Sequence, residues 1–228
     1  MWTYYQGGTQ FEGRDQGNIL TEHHADGWLW VIPFSDGSRS VGFVGPNDDY
    51  VRSDLSAQQF FDQKLSTSRE AKRLLDGATR CAEFRVTKDW SYHATRFTGP
   101  GYLLTGDAAA FVDPLFSTGV MLAMKGGSAA ADTVDQILTD PRGVADSEAA
   151  HQAVYDKSYR EFFNIVVSFI GYFYDARRRR VEYWERAQEL IDPVRESRER
   201  EDFVKLISGL TGARPVMDVR DAPMAAAS

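Results

Sequence analysis

The chain has 228 residues, with 26 Lys and Arg against 33 Asp and Glu, for a net charge of -7. Hydrophobic content of 43% and charged content of 26% fit a globular chain long enough to bury a real core. The acidic balance argues against a nucleic-acid partner. One cysteine, Cys81, excludes an internal disulfide and a cysteine-rich metal site, and the four histidines show no HxxxH or HExxH spacing, so no metal site is expected.

The opening MWTYYQGGTQFEGRD has no basic and no long apolar segment, so no signal peptide is expected. The longest apolar stretch, FFNIVVSFIGYFYD at 162–175, is too short to span a bilayer, and a cytoplasmic protein without membrane contact is the expectation. Strands are predicted at 18–23, 28–34 and 40–44, rich in β-branched and aromatic residues and separated by Asp26-Gly27 and Asp36-Gly37. They form an antiparallel meander in which Trp28, Trp30 and Ile32 share one face. That face either packs on a core or walls a cavity.

A helix is predicted from Asp54 to about Leu75, then strands near 80–86 and 90–95. After Gly99-Pro100-Gly101 the apolar strand YLLTG ends in Gly106-Asp107, as strands do at the carboxyl edge of a layered α/β sheet. From Ser117 on the chain reads as helical: about 118–138, broken by TDPRG, then 147–174, 177–190 and 199–207. The architecture is α+β, with a sheet region at 1–100, a strand-turn-helix at 101–140 and a helical region at 141–228.

The run GDAAAFVDPLFSTGV has site chemistry of its own. Asp107 is an acceptor for ligand hydroxyls, and Gly106 permits close backbone approach or unusual φ. Asp113-Pro114 sets a rigid turn, and Ser117 or Thr118 opens a helix whose first amides and positive dipole end suit an anion. A helix capped tightly against a sheet is the plainer alternative.

This run resembles the flavin-contacting segment of flavin-dependent halogenases, relatives of the FAD aromatic hydroxylases and monooxygenases. The discriminating segment is Trp28-Leu29-Trp30-Val31-Ile32-Pro33, which resembles the family's WxWxIP signature in full. The resemblance implies that Trp28, Trp30, Ile32 and Pro33 form the catalytic-side motif that excludes direct oxygen transfer from the flavin. It implies FAD contacts from Asp107, Asp113, Pro114, Phe116, Thr118 and Gly119, and halide contacts from Ser117, Thr118 and Gly119. Chloride, O2 and reduced flavin would then halogenate an electron-rich aromatic or carrier-tethered substrate, with a separate flavin reductase as partner.

Two family features have no counterpart here: the GxGxxG turn and the catalytic lysine, since Lys64, Lys72, Lys88, Lys125, Lys157 and Lys205 all stand elsewhere. The expectation is therefore a C-terminal portion, a partial fold missing most of its βαβ nucleotide-binding layer and inactive alone. It would pair with an N-terminal FAD-binding chain or self-associate through an exposed sheet edge and helix face. The basic run ARRRR at 176–180 either meets an acidic carrier or is laced to its acidic neighbours. Two other readings stand beside this one: a non-catalytic structural remnant, and a monooxygenase or reductase relative, which the complete WxWxIP disfavours.

Overall fold

The computed structural model describes residues 1–88, 91–174 and 219, and the chain divides into two compact units, Met1–Asp89 and Trp90–Ser228. The helices expected at 177–190 and 199–207, and the basic run at 176–180, lie outside the described residues.

The first unit is built on a five-stranded sheet in the order β2-β3-β4-β1-β5, comprising β1 (Trp2–Gln6), β2 (Leu20–His24), β3 (Gly27–Pro33), β4 (Ser38–Val44) and β5 (Thr79–Arg80). Every pairing is antiparallel. The β3–β4 hairpin owes its turn to Asp36, whose Oδ1 accepts from the Ser38 amide and hydroxyl at 2.8 and 2.6 Å, while Gly37 supplies a φ of 80°. This sets the register that places Trp30 opposite Gly42 and Ile32 opposite Ser40. Leu29 and Val31 point to the other face and form the core with Val41, Phe43, Phe60, Phe61, Ala71 and Leu74. Trp28 is nonetheless buried, and Trp30, Ile32 and Pro33 are half-buried.

Three helices follow: α1 (Asn47–Arg52), α2 (Ala57–Thr67) and α3 (Arg69–Leu74). The continuous helix expected over 54–75 is broken instead. Ser56 opens α2 with a reciprocal capping box to Gln59, and Ser68 interrupts it in an extended conformation. Ser68 then caps α3, its Oγ accepting from the Ala71 amide at 2.9 Å and donating to Glu22 at 2.6 Å. Of the strand expected at 80–86 only Arg80 lies in a strand, at the end of β5, with a single further bridge from Arg85 to Trp2. β1 was not expected, yet it lies between β4 and β5.

The second unit is a helical hairpin with short strand pieces. α4 (Gly119–Thr139) and α5 (Val144–Phe173) are joined by a turn in which Asp140 accepts from the Arg142 amide and side chain. Among the described residues no helix is long and apolar enough to cross a membrane. The small residues of α4 have a packing reason: a Cβ on Gly126 would lie 2.6 Å from the Tyr159 ring and 2.4 Å from the Thr105 hydroxyl. Tyr159 in turn packs edge-on against the fully buried Phe97, with ring centroids 4.9 Å apart. On its outer side α4 exposes Val120, Met124, Val134 and Leu138.

The expectation of YLLTG as a parallel strand stripped of its βαβ neighbours is corrected here. Gly101, at φ 75°, folds β8 (Tyr102–Leu103) back against β7 (Thr98–Gly99) as a tight antiparallel hairpin. The Leu104 amide donates to the Phe97 carbonyl at 2.8 Å, and the Leu104 carbonyl accepts from Tyr155 at 2.7 Å. Leu104 is therefore tied into the unit through both its amide and its carbonyl. β6 (Tyr92–His93) pairs likewise with β9 (Ala110–Phe111).

Candidate functional site

The candidate residues fall in both units. In the first, Trp28 and Trp30 pack with ring centroids 5.5 Å apart, and the Trp30 Nε1–H donates to Ser40 Oγ at 3.0 Å. The Trp30 indole lies directly over Gly42, where a Cβ would come within 2.1 Å of the ring. Gly42 is the cross-strand partner that lets this tryptophan lie flat on the sheet. Ile32 and Pro33 continue the strand toward the β3–β4 turn.

In the second unit, Gly106 is buried at φ 55° and turns the chain into the short 3-10 segment Gly106–Ala108. Asp107 follows, exposed; among the described residues its carboxylate takes no hydrogen bond, whereas its backbone carbonyl accepts from the Tyr92 hydroxyl. Asp113 differs: Oδ1 accepts from the Leu115 amide at 2.9 Å and Oδ2 from the Tyr174 hydroxyl at 2.6 Å. Pro114 then starts a second 3-10 turn, and Phe116 stacks on Phe169 with centroids 5.0 Å apart.

Ser117 ends that turn in the left-handed region at φ 53°, which few side chains other than glycine adopt without strain. Thr118 is the N-cap of α4 but does not cap with its side chain; its Oγ1 is buried without a partner among the described residues. The Leu122 amide takes the first intrahelical bond, to Thr118 O at 2.9 Å, which leaves the Gly119, Val120 and Met121 amides without an intrahelical acceptor. A Cβ at Gly119 would meet nothing within 4 Å, so the first turn is open to approach.

Sequence reasoning missed the residues that hold this turn. Among the described residues Thr105 Oγ1 and the Tyr159 hydroxyl are buried without well-formed partners, and burial pushes the Tyr155 and Tyr159 phenols above their ordinary values. For Tyr159 the Gly106 backbone and Thr105 hydroxyl partly offset that rise. The 155/159 spacing marks one face of a helix, but nothing local says that this face supports Thr105-Gly106-Asp107.

A flavin fits this arrangement on two observations: a carboxylate without a partner among the described residues beside a left-handed glycine, and a helix start whose first residue is small and open to approach. Asp107 would take sugar-alcohol hydroxyls, and the first turn of α4 would face an anionic ring edge or a halide.

Comparisons with known proteins bear on the family and the fold. The tryptophan halogenase family model takes in residues 14–208. A tryptophan 2-halogenase from Chondromyces crocatus is 33% identical over 192 residues, covering 83% of this chain and 36% of that protein. Among solved structures, the flavin-dependent brominase Bmp2 superposes with a TM-score of 0.74 at 25% identity, over 92% of this chain and 50% of its own. The myxobacterial chondrochloren halogenase CndH, an FAD-dependent halogenase, superposes with a TM-score of 0.68 at 31% identity, over 95% of this chain and 49% of its own.

These matches correct the expectation of a C-terminal remnant with a partial, inactive fold whose enzymatic standing waits on a missing nucleotide-binding portion. The family extends over residues 14–208 and the superpositions over nine-tenths of the chain, so the described sheet and helices are halogenase fold throughout. The chain spans about half the length of those two solved structures and about a third of the curated relative. It belongs to the tryptophan halogenase family of flavin-dependent halogenases.

Proposed function

We propose that the chain serves FAD-dependent halogenation of an electron-rich aromatic ring, free or carrier-tethered, with chloride and O2 as co-substrates and a separate flavin reductase. The observation that carries this reading is the pairing of an Asp107 carboxylate without a hydrogen-bond partner among the described residues with the open first turn of α4, in a chain that also holds the whole WLWVIP segment. Bound and reduced FAD would supply, with O2, the oxidising power that converts halide to an electrophilic halogen.

The chain's own residues bind and orient. Asp107 accepts from the ribityl hydroxyls, and the Gly119 amide, with the Val120 and Met121 amides behind it, presents partial positive charge to a flavin edge or halide. Ser117 and Thr118 set the entry to that turn, and the committed Asp113, with Pro114 and Phe116, keeps it rigid. To Trp28, Trp30, Ile32 and Pro33 this reading assigns the exclusion of direct oxygen transfer from the flavin, the role implied by the WxWxIP signature.

The test is a titration of FAD into the purified full chain, followed by flavin fluorescence, for the wild type and Asp107→Ala. Loss of hydrogen bonds to a charged acceptor, about 1.5–3 kcal/mol, weakens binding roughly ten- to a hundred-fold. Equal binding by both overturns the Asp107 assignment. Turnover with a reductase and chloride, read as the isotope pattern of one added chlorine, checks the activity; bound flavin without halogenated product refutes it.

A further inference from the structure

α5 carries two fully buried tyrosines one turn apart, and only one of them has its hydroxyl employed. Tyr155 donates to the Leu104 carbonyl at 2.7 Å. Tyr159, 1% exposed, has no hydrogen-bond partner for its hydroxyl among the described residues, and neither has Thr105 Oγ1 beside it. Both side chains close on one point of α4: a Cβ at Gly126 would lie 2.4 Å from Thr105 Oγ1 and 2.6 Å from Tyr159 Cε2. A third unmet group stands with them. Gly106 is buried and opens its 3-10 segment, so its amide has no acceptor within that segment, and no carbonyl or side chain among the described residues accepts from it.

A buried hydroxyl left idle works against the fold, and phenylalanine would fill the same space without that cost. Packing alone therefore does not explain Tyr159. Burial raises its phenol above the ordinary value; the Gly106 amide opposes that rise, the Asp107 charge adds to it, and Thr105 opposes it again. The oxygen thus lies within reach of the amide that precedes Asp107, without a well-aligned bond to it. Amide donor and phenol oxygen are complementary, and bonds of this kind at a ligand site tighten when the ligand arrives. We propose, on the flavin reading of Asp107, that Tyr159 is a positioning residue: its hydroxyl takes the Gly106 amide when ribityl hydroxyls load Asp107, and so fixes the direction in which that carboxylate leaves the turn. The phenol proton then goes to Thr105 Oγ1.

The test uses full chains carrying Tyr159→Phe, Asp107→Ala and both, beside the wild type. FAD binding is followed by flavin fluorescence, and the urea unfolding midpoint is read without flavin. The expected result is a Tyr159→Phe midpoint equal to or above that of the wild type, with FAD binding weakened roughly two- to tenfold, the loss of one neutral hydrogen bond. In the Asp107→Ala background the same change should leave binding where it is, since Tyr159 acts through that carboxylate. Hydrogen exchange at the Gly106 amide, read by NMR, should slow on FAD addition in the wild type and not in Tyr159→Phe. Equal FAD binding by wild type and Tyr159→Phe overturns the proposal and leaves the flavin reading intact. So does an equal loss in both Asp107 backgrounds. A Tyr159→Phe chain that is destabilised or does not fold shows a structural hydroxyl and has the same consequence. A wild type that binds no FAD overturns the flavin reading itself, and this assignment with it.

Discussion

Replacing Gly42 with alanine tests whether Trp30 is seated by its cross-strand neighbour. Gly42 has no positive φ, so alanine brings no backbone strain, and any cost must come from the new methyl. That methyl would lie 2.1, 2.2 and 2.6 Å from Trp30 Cζ2, Cη2 and Cε2, far inside contact distance. The indole cannot remain in place, and moving it breaks the 3.0 Å bond from Nε1 to Ser40 and disturbs the ring packing on Trp28. Overpacking costs about 1–3 kcal/mol, and the lost hydrogen bond about 0.5–1.5 kcal/mol more. Gly42→Ala should therefore destabilise by roughly 2–4 kcal/mol, read from urea unfolding by far-UV circular dichroism. Beside Trp30→Leu, whose side chain ends short of the methyl, the same change should cost under about 1 kcal/mol. A coupling of about 2 kcal/mol in this cycle is the expected outcome. A Gly42→Ala cost that is small, or equal in both backgrounds, refutes the seating argument.

Two further outcomes follow from the second unit. On α4, Gly126→Ala should destabilise, because its methyl meets the Tyr159 ring and Thr105, an overpacking of about 1–3 kcal/mol against a helix-propensity gain of at most about 1 kcal/mol. One residue on, a Cβ at Gly127 meets nothing within 4 Å, so Gly127→Ala should stabilise by about 0.5–1 kcal/mol; thermal unfolding that shows the same sign for both contradicts the packing. At the α4–α5 turn, Arg142 foremost, then His151, holds the Asp140 carboxyl well below its ordinary value of 3.8. A depressed carboxylate stabilises above its unfolded pKa and loses that contribution as pH falls through the folded value. The midpoint difference between wild type and Asp140→Asn should thus be constant near neutrality and close as pH drops below about 4; a difference unchanged down to pH 2 rules the ion pair out.

Local pattern carried the long elements well. α4 spans 119–139 where periodicity predicts 118–138, and α5 spans 144–173 where it predicts 147–174. The Asp36-Gly37 turn marks the β3–β4 hairpin for the same reason, since its chemistry lies within four residues. What escaped depends on distant partners. β1 is five residues that become a central strand only by pairing with β4 and β5, more than thirty and seventy residues away. Ser68 breaks the predicted long helix partly because Glu22, 46 residues earlier, accepts its hydroxyl.

The same division runs through the candidate site. Asp107 and Asp113 stand six residues apart in one run and look alike as acceptors beside a turn. Their partners separate them. Asp113 satisfies the Leu115 amide within its own turn and takes the hydroxyl of Tyr174, 61 residues on, so both oxygens are occupied and its removal should loosen the segment. Asp107 has its backbone held by Tyr92 and its carboxylate without a hydrogen-bond partner among the described residues, next to a left-handed glycine that lies against Ala123 of α4. A surface carboxylate without a partner among the described residues, beside a backbone that is held, is suited to a ligand's hydroxyls rather than to the fold. Asp107→Ala should accordingly leave stability within about 0.5 kcal/mol of wild type while it weakens flavin binding, a separation that a merely structural carboxylate would not show.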